Sequence, residues 1–230
     1  MAARSEDLQK RLADGRSKRI VFVSHCLLNE NTRYLGGATV GGAVPAIIER
    51  IAKGQDGIVQ MPCPEQAAWG GVSKRLFLAA YGRTDALCYS ILRAVLPLFV
   101  FYTRIRYWKL ARQQVRSIRD YQRHGYTVRE VIAVDGSPTC GLNQTIGISK
   151  AFNRYATTPI RDLTVESANA VVIECARPGE GLFISSLRKQ LQRRRINVEW
   201  SSHDLIHEII RNSKSDQATV DCDNRAPIFR

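Results

Sequence analysis

The chain has 230 residues, enough for one large domain, and its 44% hydrophobic content excludes a disordered protein. Its formal net charge is +13, from 34 basic and 21 acidic side chains. Most of this excess lies in two stretches: residues 86–126 carry eight basic side chains against Asp120 alone, and residues 188–195 carry five with no acid. This balance favours an anionic partner, whether nucleic acid, a lipid surface or a phosphorylated small molecule.

The first 19 residues contain no apolar run, so we expect no secretory signal and a cytoplasmic chain. Thiols stay reduced in that compartment, and the six cysteines are therefore expected to be structural thiols or metal ligands rather than disulfides. The longest apolar run, 94–102, contains Pro97 and falls well short of the ~20 residues that span a bilayer. The sequence thus predicts no transmembrane segment, although peripheral membrane contact stays open.

The predicted elements alternate between strands and helices along the chain. Short β-branched apolar runs predict buried strands at 19–24, 57–61, 128–134, 170–173 and 196–200. Apolar residues at helical spacing predict helices at 44–51, 182–195 and 203–211, and two helices broken near Pro97 over 86–124. This alternation is typical of an α/β fold with a mostly parallel sheet and helices on both faces, a Rossmann-like three-layer sandwich.

We expect a single domain over residues 18–211, with 86–124 as a helical insertion. Residues 1–17 are charged and are predicted to form a loose or weakly helical leader. Residues 212–230 are predicted to form a polar tail.

Cys26, Cys63 and Cys140 each follow the carboxyl end of a predicted strand. Loops from adjacent parallel strands converge at that edge of a sheet, so the three thiols are expected to meet there. Thiolates select zinc or iron–sulfur clusters, and the paired C-x₂-C spacing of a structural zinc site is absent. Three thiolates can hold a cubane cluster and leave one iron open. The alternative is that each cysteine is a buried core thiol.

The other cysteines are weaker candidates. Cys175 follows the predicted strand 170–173 and stays open as a fourth ligand. Cys88 falls in an apolar helical stretch and Cys222 in the polar tail, so neither is expected to bind metal.

Four short motifs surround these cysteines in a fixed order. They are SHCLLN at 24–29 with RYLG at 33–36, then CPE at 63–65, then SPTCG at 137–141. In these stretches the chain resembles the TudS-like family, the 2-thiouracil desulfidases, whose pattern is SACLLG with RYDG, then CPE, then SPSCG. RPGEGLF at 177–183 is similar to a stretch of the TudS-related desulfidases within that family.

The resemblance implies a [4Fe-4S] cluster on Cys26, Cys63 and Cys140 and hydrolytic removal of sulfur from a thiocarbonyl compound, typically a thiolated pyrimidine. It also implies that the catalytic residues are Glu65 and Ser137, which match the glutamate of CPE and the first serine of SPSCG. This sequence departs from the pattern at three positions, which hold His25, Leu35 and Thr139. The first two bear on the identity of the substrate more than on cluster binding.

Elementary chemistry is compatible with these roles. Glu65, held two residues after a cysteine by Pro64, can activate water as a general base, and Ser137 can hydrogen-bond a substrate or relay a proton. Without the resemblance, Glu65 would be interpreted as a surface or helix N-terminal carboxylate and Ser137 as a turn hydroxyl.

Other functions remain open at this point. A nucleic-acid-binding protein with a structural cluster would use the basic helices against phosphates. A membrane-surface protein would use residues 96–108, where aromatic and aliphatic side chains are flanked by arginines. A sulfur transferase is a further possibility. For 86–124 we expect a buried helix hairpin with a solvated basic face, and we favour a small-molecule enzyme.

Overall fold

The computed structural model describes residues 7, 8 and 10–212. Its centre is a four-stranded parallel sheet in the order β2–β1–β3–β6. The strands are β1 (Arg19–Val23), β2 (Gly57–Gln60), β3 (Thr127–Asp135) and β6 (Glu199–Asp204). β4 (Gln144–Ile146) and β5 (Ala176–Pro178) form a separate antiparallel pair.

The central strands are covered on both faces. All residues from Ile20 to Val23 in β1 and from Val131 to Asp135 in β3 are buried, although successive side chains point to opposite faces of the sheet. The helices are α1 (His25–Leu28), α2 (Pro45–Gly54), α3 (Pro64–Ala68), α4 (Arg75–Leu78), α5 (Ala86–Arg123), α6 (Ile148–Thr157), α7 (Val165–Glu174), α8 (Leu182–Arg193) and α9 (205–212). The prediction of a Rossmann-like α/β fold with a parallel sheet is confirmed.

The predicted helix hairpin over 86–124 is wrong, because α5 is one helix of 38 residues with Pro97 inside it. A proline removes a single helical hydrogen bond. Leu96 and Phe99 pack on neighbouring apolar side chains beside the proline, and the helix continues past it. Of the described helices, α5 is long and apolar enough to cross a membrane by length and composition only, so the absence of a transmembrane segment stays a prediction.

The predicted strand at 170–173 is also wrong, because these residues belong to α7. The helix begins with a capping box in which Thr164 and Ser167 bond each other's backbone N–H groups with their hydroxyls. Ala168, Val171 and Val172 then lie buried at helical spacing. The short apolar run predicts a strand because it contains no polar residue that would show the helical period.

Smaller differences occur at the C-terminal end. β6 begins at Glu199 rather than at 196, and the last helix begins at 205 rather than at 203. β4 and α6 carry no strong sequence signal and were not predicted. Most of the predicted tail, 213–230, and residues 1–6 and 9 of the predicted leader lie outside the described residues.

Candidate functional site

Three cysteines follow the ends of three adjacent strands. Cys26 lies in α1 after β1, Cys63 precedes α3 after β2, and Cys140 lies in the loop after β3. All three line a cavity of about 50 Å³, together with Glu65 and Ser137. We call it the cysteine cavity. The structure therefore brings together all five residues that the sequence singled out.

Local hydrogen bonds fix the first two thiols. The hydroxyl of Ser24 donates to the carbonyl of Ile132 over 2.9 Å and ties the start of α1 to β3. The sulfur of Cys63 is the N-cap of α3 and accepts a hydrogen bond from the backbone N–H of Gln66 at 3.4 Å. Such a bond at a helix N-terminus favours the thiolate form of the side chain.

The third loop is built around Asp135 at the end of β3. Its Oδ1 accepts backbone hydrogen bonds from Leu142, Asn143 and Gln144, at 2.8, 2.8 and 3.2 Å. Burial alone would raise the pKa of Asp135, but these bonds and one from Ser202 lower it. The carboxylate thus holds the loop that contains Ser137 and Cys140 in a closed turn.

The start of α8 is hydrogen-bonded to this loop. The N–H of Gly181 donates to the carbonyl of Gly141 at 2.9 Å, and the N–H of Phe183 donates to the carbonyl of Thr139 at 3.0 Å. A Cβ at Gly181 would lie 2.4 Å from the carbonyl carbon of Thr139, so this close approach requires glycine. The stretch 177–183 therefore supports the third cysteine.

Burial raises the pKa of all three thiols. It raises that of Cys26 to about 12, with a smaller opposing effect of Arg33, and it raises that of Cys63 despite the hydrogen bond from Gln66. The pKa of Cys140 also lies well above its usual value, because of burial and then because of the other two cysteines. Three thiolates in this cavity need a cation to compensate their charge.

The donor set can be tested against two metal groups. The three cysteines are free thiols. Among the described residues, no three His, Cys, Asp or Glu side chains lie close enough to hold one metal ion. A tetrahedral zinc with bonds of ~2.3 Å needs its sulfurs within about 4 Å of one another. In a cubane each thiolate bonds a different iron, which requires a wider spacing of thiols around a shared cavity. Three thiols that line one cavity are the donor set that a cubane takes, and the cluster itself stays a prediction.

Glu65 is paired with a cation that the sequence did not reveal. Nζ of Lys74 lies 2.5 Å from Oε2 of Glu65, and the two side chains are only 5% and 12% exposed. Lys74 has a φ of 52° and lines the cysteine cavity from the loop before α4. Its charge compensates the buried carboxylate, which would otherwise be costly to ionise.

A chain of hydroxyls joins Ser137 to Glu65. Oγ1 of Thr139 donates to Oε1 of Glu65 at 3.2 Å, and it lies 3.2 Å from Oγ of Ser137. Because a threonine hydroxyl has one proton, Ser137 must be the donor in the second bond. Oγ of Ser137 in turn accepts from the N–H of Cys140 at 3.0 Å. The path Ser137–Thr139–Glu65 can carry a proton.

An aromatic pocket, also of about 50 Å³, adjoins the cysteine cavity and shares Tyr34, Glu65 and Lys74 with it. Its lining includes Tyr81 and Tyr155, whose rings stack with centroids 4.4 Å apart and planes 4° apart. The remaining aromatic residues of this lining are Trp69 and Phe77, which stack on each other. An open groove of about 460 Å³ shares Tyr34, Lys74, Phe77 and Tyr81 with the pocket.

One polar atom of the aromatic pocket has no partner. The indole N–H of Trp69 is buried and has no hydrogen-bond partner among the described residues. A bound molecule with an acceptor would supply one. The hydroxyl of Tyr34 is already used, since it donates to Oδ1 of Asn169 at 2.7 Å.

A buried ionic network lies behind the cavity. Arg33 contacts Glu30 at 2.6 Å and Glu208 at 3.3 Å. Oε2 of Glu30 accepts from the N–H groups of Thr39 and Val40, both at 2.7 Å, and so orders the loop 33–44 before α2. Burial alone would raise the pKa of Glu208, but hydrogen bonds from His203 and Thr39 and the charge of Arg33 lower it to about 2.

The positions that depart from the family pattern have separate environments. His25 lines the cysteine cavity, and burial lowers its pKa, which favours the neutral ring at pH 7. Leu35 is 66% exposed and lines the open groove instead. Thr139 is buried and keeps the hydroxyl that serine would supply.

The other described cysteines lie elsewhere. Cys175 caps the C-terminus of α7 and lines a different cavity, so it is not among the residues that line the cysteine cavity. Cys88 is exposed in the first turn of α5. Cys222 lies outside the described residues.

The chain is similar to MJ0003, an uncharacterized protein of Methanocaldococcus jannaschii. The two are 26% identical over 137 residues, which is 58% of this chain and 74% of that protein. No protein-family profile matches the chain, and no solved structure matches it. The name of the archaeal relative states no activity, so the function is argued from the site itself.

Proposed function

We propose that this protein is an enzyme of the TudS-like desulfidase type, which removes sulfur from a small thiocarbonyl compound such as a thiolated pyrimidine. The proposed reaction converts a thiocarbonyl and water into a carbonyl and hydrogen sulfide. A C=S bond is broken and a C=O bond is formed, without net oxidation or reduction. The observation that carries the proposal is that Cys26, Cys63 and Cys140 line one cavity with Glu65 and Ser137.

The residues that would hold the cofactor are these three cysteines. When bound, a [4Fe-4S] cluster supplies an open iron, a Lewis acid that suits a soft thiocarbonyl sulfur. The chain itself supplies the cavity, in which Cys140 is buried and the other two thiols are half-buried. Burial excludes bulk water, so the water that reacts is the one positioned by protein side chains.

Glu65 is the proposed general base. Its Oε2 faces Lys74 and its Oε1 faces Thr139, so the carboxylate is held by one charged and one neutral donor. In this position it can take a proton from a water in the cysteine cavity. The hydroxyl of Ser137 can then deliver or receive a proton through Thr139.

The aromatic pocket is the proposed binding site for the ring of the substrate. Tyr34, Glu65 and Lys74 line both this pocket and the cysteine cavity, so a ring held there lies next to the proposed base. The flat pair Tyr81–Tyr155 and the unpartnered indole N–H of Trp69 suit a planar ring with a hydrogen-bond acceptor. A small molecule fits a pocket of this size better than a nucleic acid strand.

The cofactor is tested by anaerobic reconstitution with iron and sulfide. We expect brown protein with about four iron and four sulfide per chain. Cys26→Ser, Cys63→Ser and Cys140→Ser should each remove the visible absorbance. Cys88→Ser is the matched control, since this cysteine is exposed on α5, and it should retain the full absorbance. A colourless wild-type protein with stoichiometric zinc would contradict the proposal.

The reaction is tested by sulfide release from 2-thiouracil and thiolated nucleosides. Glu65→Gln and Ser137→Ala should keep the cluster but lower turnover, by ~10²–10⁴-fold for a lost acid–base group. Transfer of the sulfur to an added electrophilic acceptor, such as an activated pyrimidine carbonyl, with no free sulfide, would favour a sulfur transferase. Turnover restricted to thiolated RNA would favour the alternative that the basic helices bind nucleic acid.

A further inference from the structure

The first half of α5 presents an exposed apolar face that no part of the described protein covers. Its large side chains are between 42% and 73% exposed. At 3.6 residues per turn they share one side of the helix. This apolar face consists of Leu87, Ile91, Val95, Leu98, Phe101, Tyr102 and Ile105. Contiguous exposed apolar surface of this kind marks an interaction site.

The opposite side of the same helix is attached to the domain. Leu96 is buried against Phe152 and Ala156 of α6, and Tyr89 donates a hydrogen bond to Oδ1 of Asn153 at 3.2 Å. Further along, Tyr107 of α5 is fully buried. These contacts attach the helix to the domain on this side, and its apolar face on the other side is free to lie on a membrane surface.

The exposed side of α5 changes from apolar to basic at Trp108. Beyond this residue the same side carries Lys109, Arg112, Arg116, Arg119 and Arg123, all exposed. Asp120 is the only acidic residue within α5. Trp108 is 44% exposed, and the guanidinium of Arg112 lies 5.5 Å from the centre of its ring. Tryptophan is enriched at the boundary between headgroups and acyl chains.

We propose that α5 binds this protein to the surface of a membrane that contains anionic lipid. The apolar face enters the boundary between headgroups and acyl chains, and the arginines that follow contact lipid phosphates. Nucleic acid would match the basic half but would leave the apolar half uncovered. A second copy could cover the apolar half, but two chains of net charge +13 repel each other. This proposal stands independently of the desulfidase chemistry.

The test is flotation of the full chain with vesicles of phosphatidylcholine, with and without phosphatidylglycerol. Wild-type protein is expected to float with the anionic vesicles. Leu98→Glu/Phe101→Glu is expected to abolish flotation, because two charges enter the apolar face. Arg112→Glu/Arg116→Glu is expected to weaken partition by about 25-fold or more, at about fivefold for each basic residue.

The matched control is Leu12→Glu, which places a charge on an equally exposed leucine outside α5. This variant should float like wild type, and circular dichroism and thermal unfolding should show that every variant is folded. Wild-type protein that stays with the unbound fraction for both vesicle types would overturn the proposal. So would flotation of the Leu98→Glu/Phe101→Glu variant, or a stable wild-type dimer in light scattering that this variant dissociates.

Discussion

The hydroxyl of Thr139 donates a hydrogen bond of 3.2 Å to Oε1 of Glu65, across 74 residues of sequence. It joins the loop after β3 to the helix after β2, the two segments that contribute Cys140 and Cys63. The position is one at which this chain has threonine where the family pattern has serine. The shared hydroxyl explains why the exchange leaves the path from Ser137 to Glu65 intact.

Under the proposed function, replacing Thr139 by valine should therefore lower turnover without removing the proposed cluster. Valine has nearly the same shape but cannot donate to Glu65 or accept from Ser137. Loss of a hydrogen bond to a charged group costs about 1.5–3 kcal/mol, which corresponds to roughly a 10- to 100-fold lower rate. Thr139→Ser is the matched control and should retain most of the activity. Equal turnover of the valine and serine variants would show that the hydroxyl has no role.

Lys74 should stabilise the folded protein by compensating Glu65. Lys74→Met leaves a buried carboxylate without its cation, which typically costs about 3–5 kcal/mol. Both residue types have an unbranched side chain, so the strain at φ 52° is similar in the two proteins. The free energy of unfolding in urea measures the loss.

The control for this experiment is the double variant Glu65→Gln/Lys74→Met. It removes both charges, so it should be less destabilised than the sum of the single variants. Additive losses would mean that the two side chains do not interact in solution.

Gly181 should be required for the loop that contains Cys140. A methyl group there would lie 2.4 Å from the backbone carbonyl carbon of Thr139 and 2.7 Å from the backbone nitrogen of Gly141. The backbone must shift, and overpacking of this kind costs about 1–3 kcal/mol. Gly181→Ala is expected to lower the thermal midpoint and, under the proposed function, to speed the loss of the reconstituted cluster in air.

The matched control is Gly41→Ala, since a Cβ at Gly41 meets no atom within 4 Å. It should leave both properties unchanged. If Gly181→Ala retained wild-type stability and cluster lifetime, the hydrogen bonds from the start of α8 would not support the third cysteine.

The sequence predicted the sheet and the position of the cysteines because both depend on local signals. A β-branched run such as 19–24 identifies a buried strand, and a thiol just after it must lie at the sheet edge. The run at 170–173 is similarly apolar but forms a helix. The N-cap at Thr164 and the packing of Val171 favour the helix there. Local composition does not contain that information.

The site beyond the motifs could not be read from the sequence. Lys74, which pairs with Glu65, has a left-handed backbone conformation at the end of the loop before α4. No sequence pattern predicts that conformation for a lysine. Tyr81 and Tyr155 stack although 74 positions separate them. Pairs of this kind arise from tertiary packing, so one sequence without a structure does not reveal them.

The carboxylate of Glu208 accepts hydrogen bonds from His203 and Thr39 and lies 3.3 Å from Arg33. Burial works against the charged form, but these partners lower the pKa of Glu208 from 4.5 to about 2. A carboxyl whose pKa is lower in the folded state binds fewer protons there than in the unfolded chain. Its stabilising contribution is therefore complete above about pH 4.5 and is lost as the pH falls towards about 2. At 1.36 kcal/mol per unit, the contribution is about 2–4 kcal/mol.

Urea unfolding of the wild type and of Glu208→Gln between about pH 3 and pH 6 measures this contribution. Above about pH 5 the variant should be less stable than the wild type, because Arg33 has lost one of its two ionic partners and keeps only Glu30. The difference between the two proteins should shrink as the pH falls, since the wild-type glutamate then becomes neutral as well. Glu49→Gln is the control, because Glu49 is exposed and its replacement should leave the pH dependence unchanged. If the difference in stability stayed constant across the whole pH range, the pKa of Glu208 would be the same in the folded and unfolded states. The network around Arg33 would then not lower the pKa of this carboxyl group.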